Sequence, residues 1–212
     1  MPKAPTRPVG YTTTCFGASS INDLGKHYDT LDTRLRHFIE RQHLFFVATA
    51  PLSANGHVNL SPKGLDSFRV VGPTQVTYLD QVGSGTETIA HLRENGRIVV
   101  MFCAFEGPPN IVRLHGRGQV LEPQDEHWPR ARARFDPGTA GRAIIVVDVD
   151  RITDSCGYGV PEYTFTTDRP QLDDWTTRKG ESGLRRYQQE NNATSVDGLP
   201  ALRWVAEDAA TE

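Results

Sequence analysis

Residues 74–104 read TQVTYLDQVGSGTETIAHLRENGRIVVMFCA and place one short helix between two strands. Thr74 to Asp80 and Arg97 to Ala104 are dense in Val, Ile, Tyr and Phe, which is typical of strands. Between them, Thr86 to Asn95 reads as a helix that follows two glycines around a serine. This stretch therefore predicts a strand, a glycine-rich turn, a helix and a second strand.

Four more β-favouring runs surround this unit, and glycine, proline and asparagine separate them. They are Leu44 to Ala50, His57 to Ser61, Ile111 to Leu121 and Ala143 to Val149. Six short strands with one helix among them favour a mainly β antiparallel barrel or sandwich over an alternating parallel sheet. A helix is also expected within 31–43, and two short helices broken at Lys179-Gly180 within 171–192.

Composition excludes several classes of function. The formal charge of −3 over 212 residues gives no basic footprint, so no nucleic-acid partner is expected. No apolar run approaches the roughly 20 residues that span a bilayer, and the N-terminus does not resemble a secretory signal. Three cysteines without a CxxC pair predict neither a disulfide framework nor a cysteine-rich metal site. We expect a single cytoplasmic domain over 1–212, with an arm at residues 1 to about 20 that orders only on docking.

Two of the predicted strands carry one polar face each. In one, His57, Asn59 and Ser61 alternate with apolar residues, and in the other Arg113, His115 and Arg117 do so. Solvent contact alone would explain such faces in an antiparallel sheet. The alternative is that both faces meet the start of the 86–95 helix in one groove that holds a polar ligand.

The turn before that helix also has two interpretations. Ser84-Gly85-Thr86-Glu87 fits a capping box, with serine as the N-cap and glutamate three residues later. Spacing favours this interpretation, yet the first turn of a helix also attracts anions, and the flanking glycines would allow a phosphate close to the backbone.

Other site chemistries have little support. The seven histidines form no HExxH or HxH pattern, so no protein-held metal is expected. The sequence also lacks the G-x-S-x-G motif that carries the nucleophile of many serine hydrolases. Cys103 lies in the apolar run IVVMFCAF, which predicts an inert core thiol.

Three segments resemble a known family: HVNLSPKG, VTYLDQVGSGTETIAHLRENGRIVVMF and NIVRLHGRGQV. They are similar to the pyridoxamine 5′-phosphate oxidase-related family of FMN-binding split barrels, over about residues 30–155. The resemblance implies a six-stranded Greek-key barrel that forms a homodimer with FMN between the subunits. Residues 156–212 would form a C-terminal extension with short helices.

The resemblance also implies which residues line the cofactor. The first flavin strand and the next one would run along the ring and ribityl chain, the helix turn would face the phosphate, and one arginine would come from a neighbouring strand. In this chain those residues are His57, Val58, Asn59, Leu60, Ser61, Lys63, Tyr78, Leu79, Ser84, Gly85, Thr86, Thr88 and Arg113.

This chain departs from the oxidases that act on pyridoxamine phosphate. Their first flavin strand begins with arginine and their helix turn carries a basic pair, whereas this chain has His57 and Thr86-Glu87. Their C-terminal Arg-x-His motif is absent. The sequence therefore predicts an FMN-dependent oxidoreductase that acts on a different small molecule, with catalytic residues unassigned.

Three alternatives stay open on the same barrel. They are a deazaflavin-dependent reductase, a flavin- or haem-binding protein without turnover that uses His57 or His115 as axial ligand, and a barrel retained only for its dimer interface. Tyr158, Tyr163, Trp175, Tyr187 and Trp204 are expected to pack within the extension, and the alternative is that some close over the flavin.

Overall fold

The computed structural model describes residues 25–209, and the predicted N-terminal arm lies outside them. The strands are β1 (His27–Tyr28), β2 (Phe45–Thr49), β3 (Asn59–Lys63), β4 (Phe68–Val70), β5 (Gln75–Gln81), β6 (Arg97–Cys103), β7 (Ile111–Leu121) and β8 (Gly141–Ser155). The helices are α1 (Thr33–Glu40), α2 (Glu87–Asn95), α3 (Trp128–Arg132), α4 (Gln171–Asn191) and α5 (Arg203–Ala209). None of the helices within 25–209 is both long and apolar enough to cross a membrane.

All strands belong to one antiparallel sheet with the order β3-β2-β6-β7-β8-β5-β4, and β1 pairs with β8. β3 and β4 stand at its two ends. Lys63 of β3 nevertheless donates from Nζ to Oδ1 of Asp80 in β5, at 2.7 Å. The sheet must therefore curl until its ends come close. This geometry confirms the predicted antiparallel split barrel.

The predicted strands are all present, most with shifts of one or two residues at their ends. The exception is β8, which continues to Ser155 because its second half pairs with β7 and β1. Two short strands, β1 and β4, were not predicted, because segments of two and three residues carry too little pattern. They raise the strand count to eight without changing the architecture.

The barrel core is filled by alternate residues of the strands and by one face each of α1 and α2. Fully buried members include Leu35, Ile39, Val47, Ile89, Val100, Phe102, Leu114 and Ile145. Gly116 marks the bulge where the β7–β8 register shifts. A Cβ at this position would lie 2.1 Å from the Asp148 carbonyl oxygen, so only glycine allows this close approach.

The start of α2 differs from the prediction. Its N-cap is Thr86, whose side chain makes no capping hydrogen bond, so the Ser84 capping box is wrong. Glu87 instead accepts a hydrogen bond from the Val196 backbone N–H at 3.3 Å. Side chains from outside the helix fix the turn before it, as described below, and local capping does not decide where the helix begins.

The helix of the extension is broken where the sequence predicted. Gly180 has φ 62° and ψ 176°, and it divides α4 into two helical halves. The Trp175 and Tyr187 rings from the two halves meet edge to face at 4.9 Å, and Lys179 lies over both. The ordinary packing expected for Trp175 and Tyr187 is therefore confirmed.

Candidate functional site

The polar face of β3 turns into the barrel. Asn59 donates from Nδ2 to the hydroxyls of Thr88 (3.0 Å) and Thr49 (3.3 Å), and Ser61 donates to Asn59 Oδ1 at 2.8 Å. Thr49 lies in β2 and Thr88 in α2, and both are buried. The polar residues of this strand therefore hold α2 against the sheet, and they already have partners.

At the end of β3, Lys63 belongs to a buried ion cluster. Asp80 is 1% exposed and accepts from Lys63 Nζ (2.7 Å) and Arg142 Nε (2.9 Å). Burial alone would raise the pKa of Asp80, but the charges of Lys63 and Arg142 outweigh it and hold this pKa at about 2. The cluster links β3, β5 and β8, and Lys63 shares this one carboxylate with Arg142.

The glycine-rich turn before α2 is held by two donors. Arg142 donates to the carbonyls of Gly83 and Gly85, and Asn192 donates to those of Gly83 (2.9 Å) and Ser84 (3.2 Å). Three successive carbonyls are thus bound from the protein side, while Ser84 and Gly85 remain exposed. These hydrogen bonds hold the backbone of the turn in place.

His57, just before β3, is bound by the C-terminal extension. Asp197 accepts from the His57 backbone N–H at 2.8 Å, and its second oxygen lies 2.6 Å from the ring Nδ1. Contact with His57 lowers the pKa of Asp197. The start of the predicted flavin strand therefore already contacts a carboxylate of the same chain.

Tyr78 and Leu79 of β5 are 0% and 1% exposed. Burial, followed by the nearby Asp80 charge, raises the pKa of Tyr78 well above its ordinary value. The backbone of β5 pairs with β4 on one side and β8 on the other. Within one chain these two residues belong to the core and do not line an open groove.

The opposite side of the sheet has a different character. Cross-strand neighbours align in two rows, Leu60–Ala48–Val99–His115 and Pro62–Phe46–Met101–Arg113. We call the surface formed by these two rows, together with Val58, the outer face. Val58 and Leu60 are 74% and 64% exposed, and the other members are exposed or half-buried.

Two basic side chains flank this apolar surface. Arg113 donates to the Ser155 hydroxyl at 3.0 Å, and within residues 25–209 it forms no ion pair. Partial burial, and then the charge of Arg151, lowers the pKa of His115. A cleft of about 400 Å³ lies on this face, with Val58, Val99 and His115 in its lining. Among residues 25–209, the outer face therefore combines exposed apolar surface with a guanidinium that has no carboxylate partner.

The single groove considered from the sequence is not present among residues 25–209 of one chain. Asn59 and Ser61 face inward toward α2, whereas Arg113 and His115 face outward with Leu60 and Pro62. The reason is the two-residue period of the strands, which sends neighbouring residues to opposite sides of the sheet. The predicted cofactor residues thus lie in separate places. The inward set is Asn59, Ser61, Lys63, Tyr78, Thr86 and Thr88, and the outward set is Val58, Leu60 and Arg113. Ser84 and Gly85 are exposed in the turn, Leu79 is buried, and His57 lies beside Asp197.

Sequence reasoning missed four residues that shape this region: Asp80, Arg142, Asn192 and Asp197. Asp80 carried a usable signal, because an acidic residue at the end of the apolar run VTYL requires a partner if the strand is buried. The pairing of Asn192 and Asp197 with residues more than a hundred positions away has no local signal.

The described histidines do not form a metal site. Within residues 25–209, no group of three or more His, Cys, Asp or Glu side chains is placed to hold a metal ion. His91 is buried, its Nδ1 lies 3.0 Å from the Thr49 hydroxyl, and burial lowers its pKa. A neutral packing histidine explains this environment.

Aromatic residues of the extension continue the outer face at one end. Tyr163 stacks on Phe105 with ring centroids 5.7 Å apart, and Phe165 stacks on His43 at 3.7 Å. These rings line a cleft of about 780 Å³ that also includes Phe46. Part of the extension therefore lies against the barrel where an apolar ligand could be covered, while Tyr158 is 78% exposed.

Comparison with solved structures finds distant likenesses. They include HupZ of Group A Streptococcus (22% identity, 57% of this chain and 90% of the other, TM-score 0.45) and the FAD binding protein from Mycobacterium smegmatis (15%, 60% and 96%, 0.42). A third is a protein of the pyridoxinephosphate oxidase family from Clostridium acetobutylicum (13%, 57% and 84%, 0.44). At these TM-scores the likenesses add no argument about function.

Sequence comparison is decisive for the family. The model of the family described as pyridoxamine 5′-phosphate oxidase matches residues 31–156. The pyridoxamine 5′-phosphate oxidase family protein ustO of Aspergillus flavus is 41% identical over 200 residues, which cover 85% of this chain and 79% of that protein. The fold, the family model and this relative agree, and the chain belongs to the pyridoxamine 5′-phosphate oxidase family.

Proposed function

We propose that the protein is a flavin-dependent oxidoreductase that binds FMN where two copies of the chain meet, and that its substrate is a small molecule other than pyridoxamine phosphate. Family membership supports a flavin. The observation that carries the proposal is the outer face, where exposed Val58 and Leu60 lie on the same side of the sheet as Arg113.

The outer face fits the ring of a flavin. An isoalloxazine is flat, its ring faces and dimethylbenzene end pack well on apolar side chains, and it acquires negative charge on reduction. Leu60 and Phe46 offer apolar contact, and Arg113 offers a positive charge that no carboxylate within residues 25–209 neutralises. Lys63 and His57 are less suitable, because each is already bound to a carboxylate.

Bound FMN would accept and donate the electrons, so the protein has to supply orientation, charge and exclusion of water. The apolar rows of the outer face would exclude water from one side of the ring. Arg113, held by Ser155, would stabilise negative charge on the reduced ring. Tyr163 and Phe165 stand at the end of this face, where they would contact a substrate.

A second copy of the chain is the proposed cover for the outer face. β3 ends the sheet order, so one side of its backbone lacks a partner strand among the described residues. Leu60 on its outward side and Val58 just before the strand are apolar and more than half exposed. An open apolar edge of this kind is a surface for association.

The test is titration with FMN, followed by flavin absorbance and fluorescence. We expect saturable binding, with Arg113→Gln weakening it at least tenfold and Arg130→Gln, on the exposed surface of α3, leaving it unchanged. Deazaflavin and haem are titrated in parallel. Binding of either in place of FMN would replace the cofactor assignment, and no binding of any of them would remove the oxidoreductase proposal.

A further inference from the structure

The contact between Asp197 and His57 joins the C-terminal extension to the start of β3. The two carboxylate oxygens of Asp197 receive the His57 backbone N–H (2.8 Å) and lie beside its ring Nδ1 (2.6 Å). Two donors of one residue thus bind one acidic group. A phosphate oxygen pair accepts hydrogen bonds in the same way, because both groups are anions with two acceptors close together.

The rest of the segment is anchored to the adjoining turn and helix. Asn192, fully buried, donates to the carbonyls of Gly83 and Ser84, and the Val196 N–H donates to Glu87 in the first turn of α2. Residues 192–197 therefore connect the turn, the helix start and His57. The resemblance assigns the turn and the helix start to the phosphate of the cofactor, and His57 begins the adjacent strand that it assigns to the ring and ribityl chain.

A polar atom in this region also lacks a partner. Thr86, the N-cap residue of α2, is 2% exposed, and its hydroxyl has no hydrogen-bond partner among the described residues. A buried hydroxyl without a partner costs free energy, so such atoms tend to mark places where a ligand or water completes the bonding. The region is therefore both covered by the extension and incompletely satisfied.

We infer that residues 192–197 occupy the anion end of the cofactor site, with the Asp197 carboxylate in the place of a phosphate monoester, and that this segment must move away before a phosphate-bearing flavin binds. The inference rests on the proposed function. It makes Asp197 a built-in competitor: its charge repels an incoming phosphate, and its hydrogen bonds hold the donors that the phosphate needs. A flavin without a phosphate would not compete with the Asp197 carboxylate for these donors.

The first test compares FMN with riboflavin, which carries the same ring without the phosphate. We expect Asp197→Asn to bind FMN at least tenfold more tightly than the wild type and to bind riboflavin with unchanged affinity. Asp174→Asn, which removes an exposed charge from the first turn of α4, is the matched control and should change neither affinity.

The second test follows the segment itself by amide hydrogen exchange. The N–H groups of Ser195, Val196 and Gly198 donate within this region, to Leu199 O, Glu87 and Ser195 O. Saturation of the wild type with FMN should accelerate exchange in the 192–198 peptide and slow it in residues 83–88. Slower or unchanged exchange in 192–198 would contradict the inference.

The outcomes separate this inference from the proposal beneath it. If the wild type and Asp197→Asn bind FMN equally well, the flavin assignment stands and the competitor role of Asp197 is wrong. If riboflavin gains affinity as much as FMN does, the phosphate is not what Asp197 opposes, and the inference is again wrong. If neither protein binds FMN, both the flavin assignment and the inference fail.

Discussion

The two sides of strand β3 differ in a way that reverses the usual pattern of an edge strand. On the inner side, Asn59, Ser61 and Lys63 are polar, half-buried and hydrogen-bonded. On the outer side, Val58 and Leu60 are apolar and exposed. An antiparallel sheet with one wet face normally places apolar residues inward and polar residues outward.

The strand therefore contributes to two different surfaces, the inside of the barrel and the outer face. On the inner side, hydrogen bonds to β2 and α2 and the ion pair with β5 offset the cost of burying polar groups. On the apolar outer side, residues 25–209 leave Val58 and Leu60 mostly exposed to water. Burying this surface against another molecule would be favourable, which is the basis for proposing a second copy and a flavin there.

The largest loss of stability is expected from a substitution at Asp80, which binds Lys63 on the inner side of β3. Asp80→Asn leaves the Lys63 and Arg142 charges buried without their carboxylate, and such losses cost about 3–5 kcal/mol. The measurement is the free energy of unfolding in urea. Asp66→Asn is the control, because its carboxylate pairs with Arg69 at an exposed site and should contribute no more than about 1 kcal/mol. A cost for Asp80→Asn as small as the control's would contradict the importance of the cluster.

The same cluster predicts a dependence on pH. The pKa of Asp80 in the folded protein is about 2, below its ordinary value of 3.8, so the unfolded chain binds the proton more readily. The stabilisation from this group is therefore complete above about pH 4 and is lost as the pH falls through about 2. Unfolding of wild type and Asp80→Asn at several acidic pH values checks this. The wild type should lose its advantage over the variant across that window.

Smaller losses of stability are expected from substitutions of Asn59 and Leu60, which lie on opposite sides of β3. Asn59→Ala removes hydrogen bonds to two buried hydroxyls and should destabilise the fold by about 1–2 kcal/mol. Leu60→Ala removes an apolar side chain that is 64% exposed, so its effect should stay within about 0.5 kcal/mol in dilute monomeric protein. Thermal unfolding of both variants tests the order. A larger loss from Leu60 than from Asn59 would show that the two sides have been assigned wrongly.

The barrel could be predicted from the sequence because its strands carry strong local patterns. Ile111–Leu121 has the predicted bounds, and its alternation correctly separates Val112 and Leu114 from Arg113 and His115. The break of α4 at Gly180 was predictable for the same reason, since a glycine with a positive φ acts locally. Patterns of this kind depend only on neighbouring residues.

The site was less predictable because it depends on which face of one strand meets which face of another. Alternation showed that β3 has a polar side, but it could not show that this side points toward α2. The order of strands decides that Arg113 lies in a row with Pro62 on the outside. The contacts of Asp197 and Asn192 come from a segment far along the chain, so no local pattern could reveal them.

The most direct test of the account is FMN titration of Leu60→Glu beside Leu52→Glu, with the mass of each protein measured by light scattering in the same samples. Both leucines are 64% exposed, but only Leu60 lies on the outer face. We expect Leu60→Glu to be folded, monomeric and unable to bind FMN, and Leu52→Glu to form dimers and bind FMN like the wild type. A dimeric Leu60→Glu with wild-type affinity for FMN would contradict it.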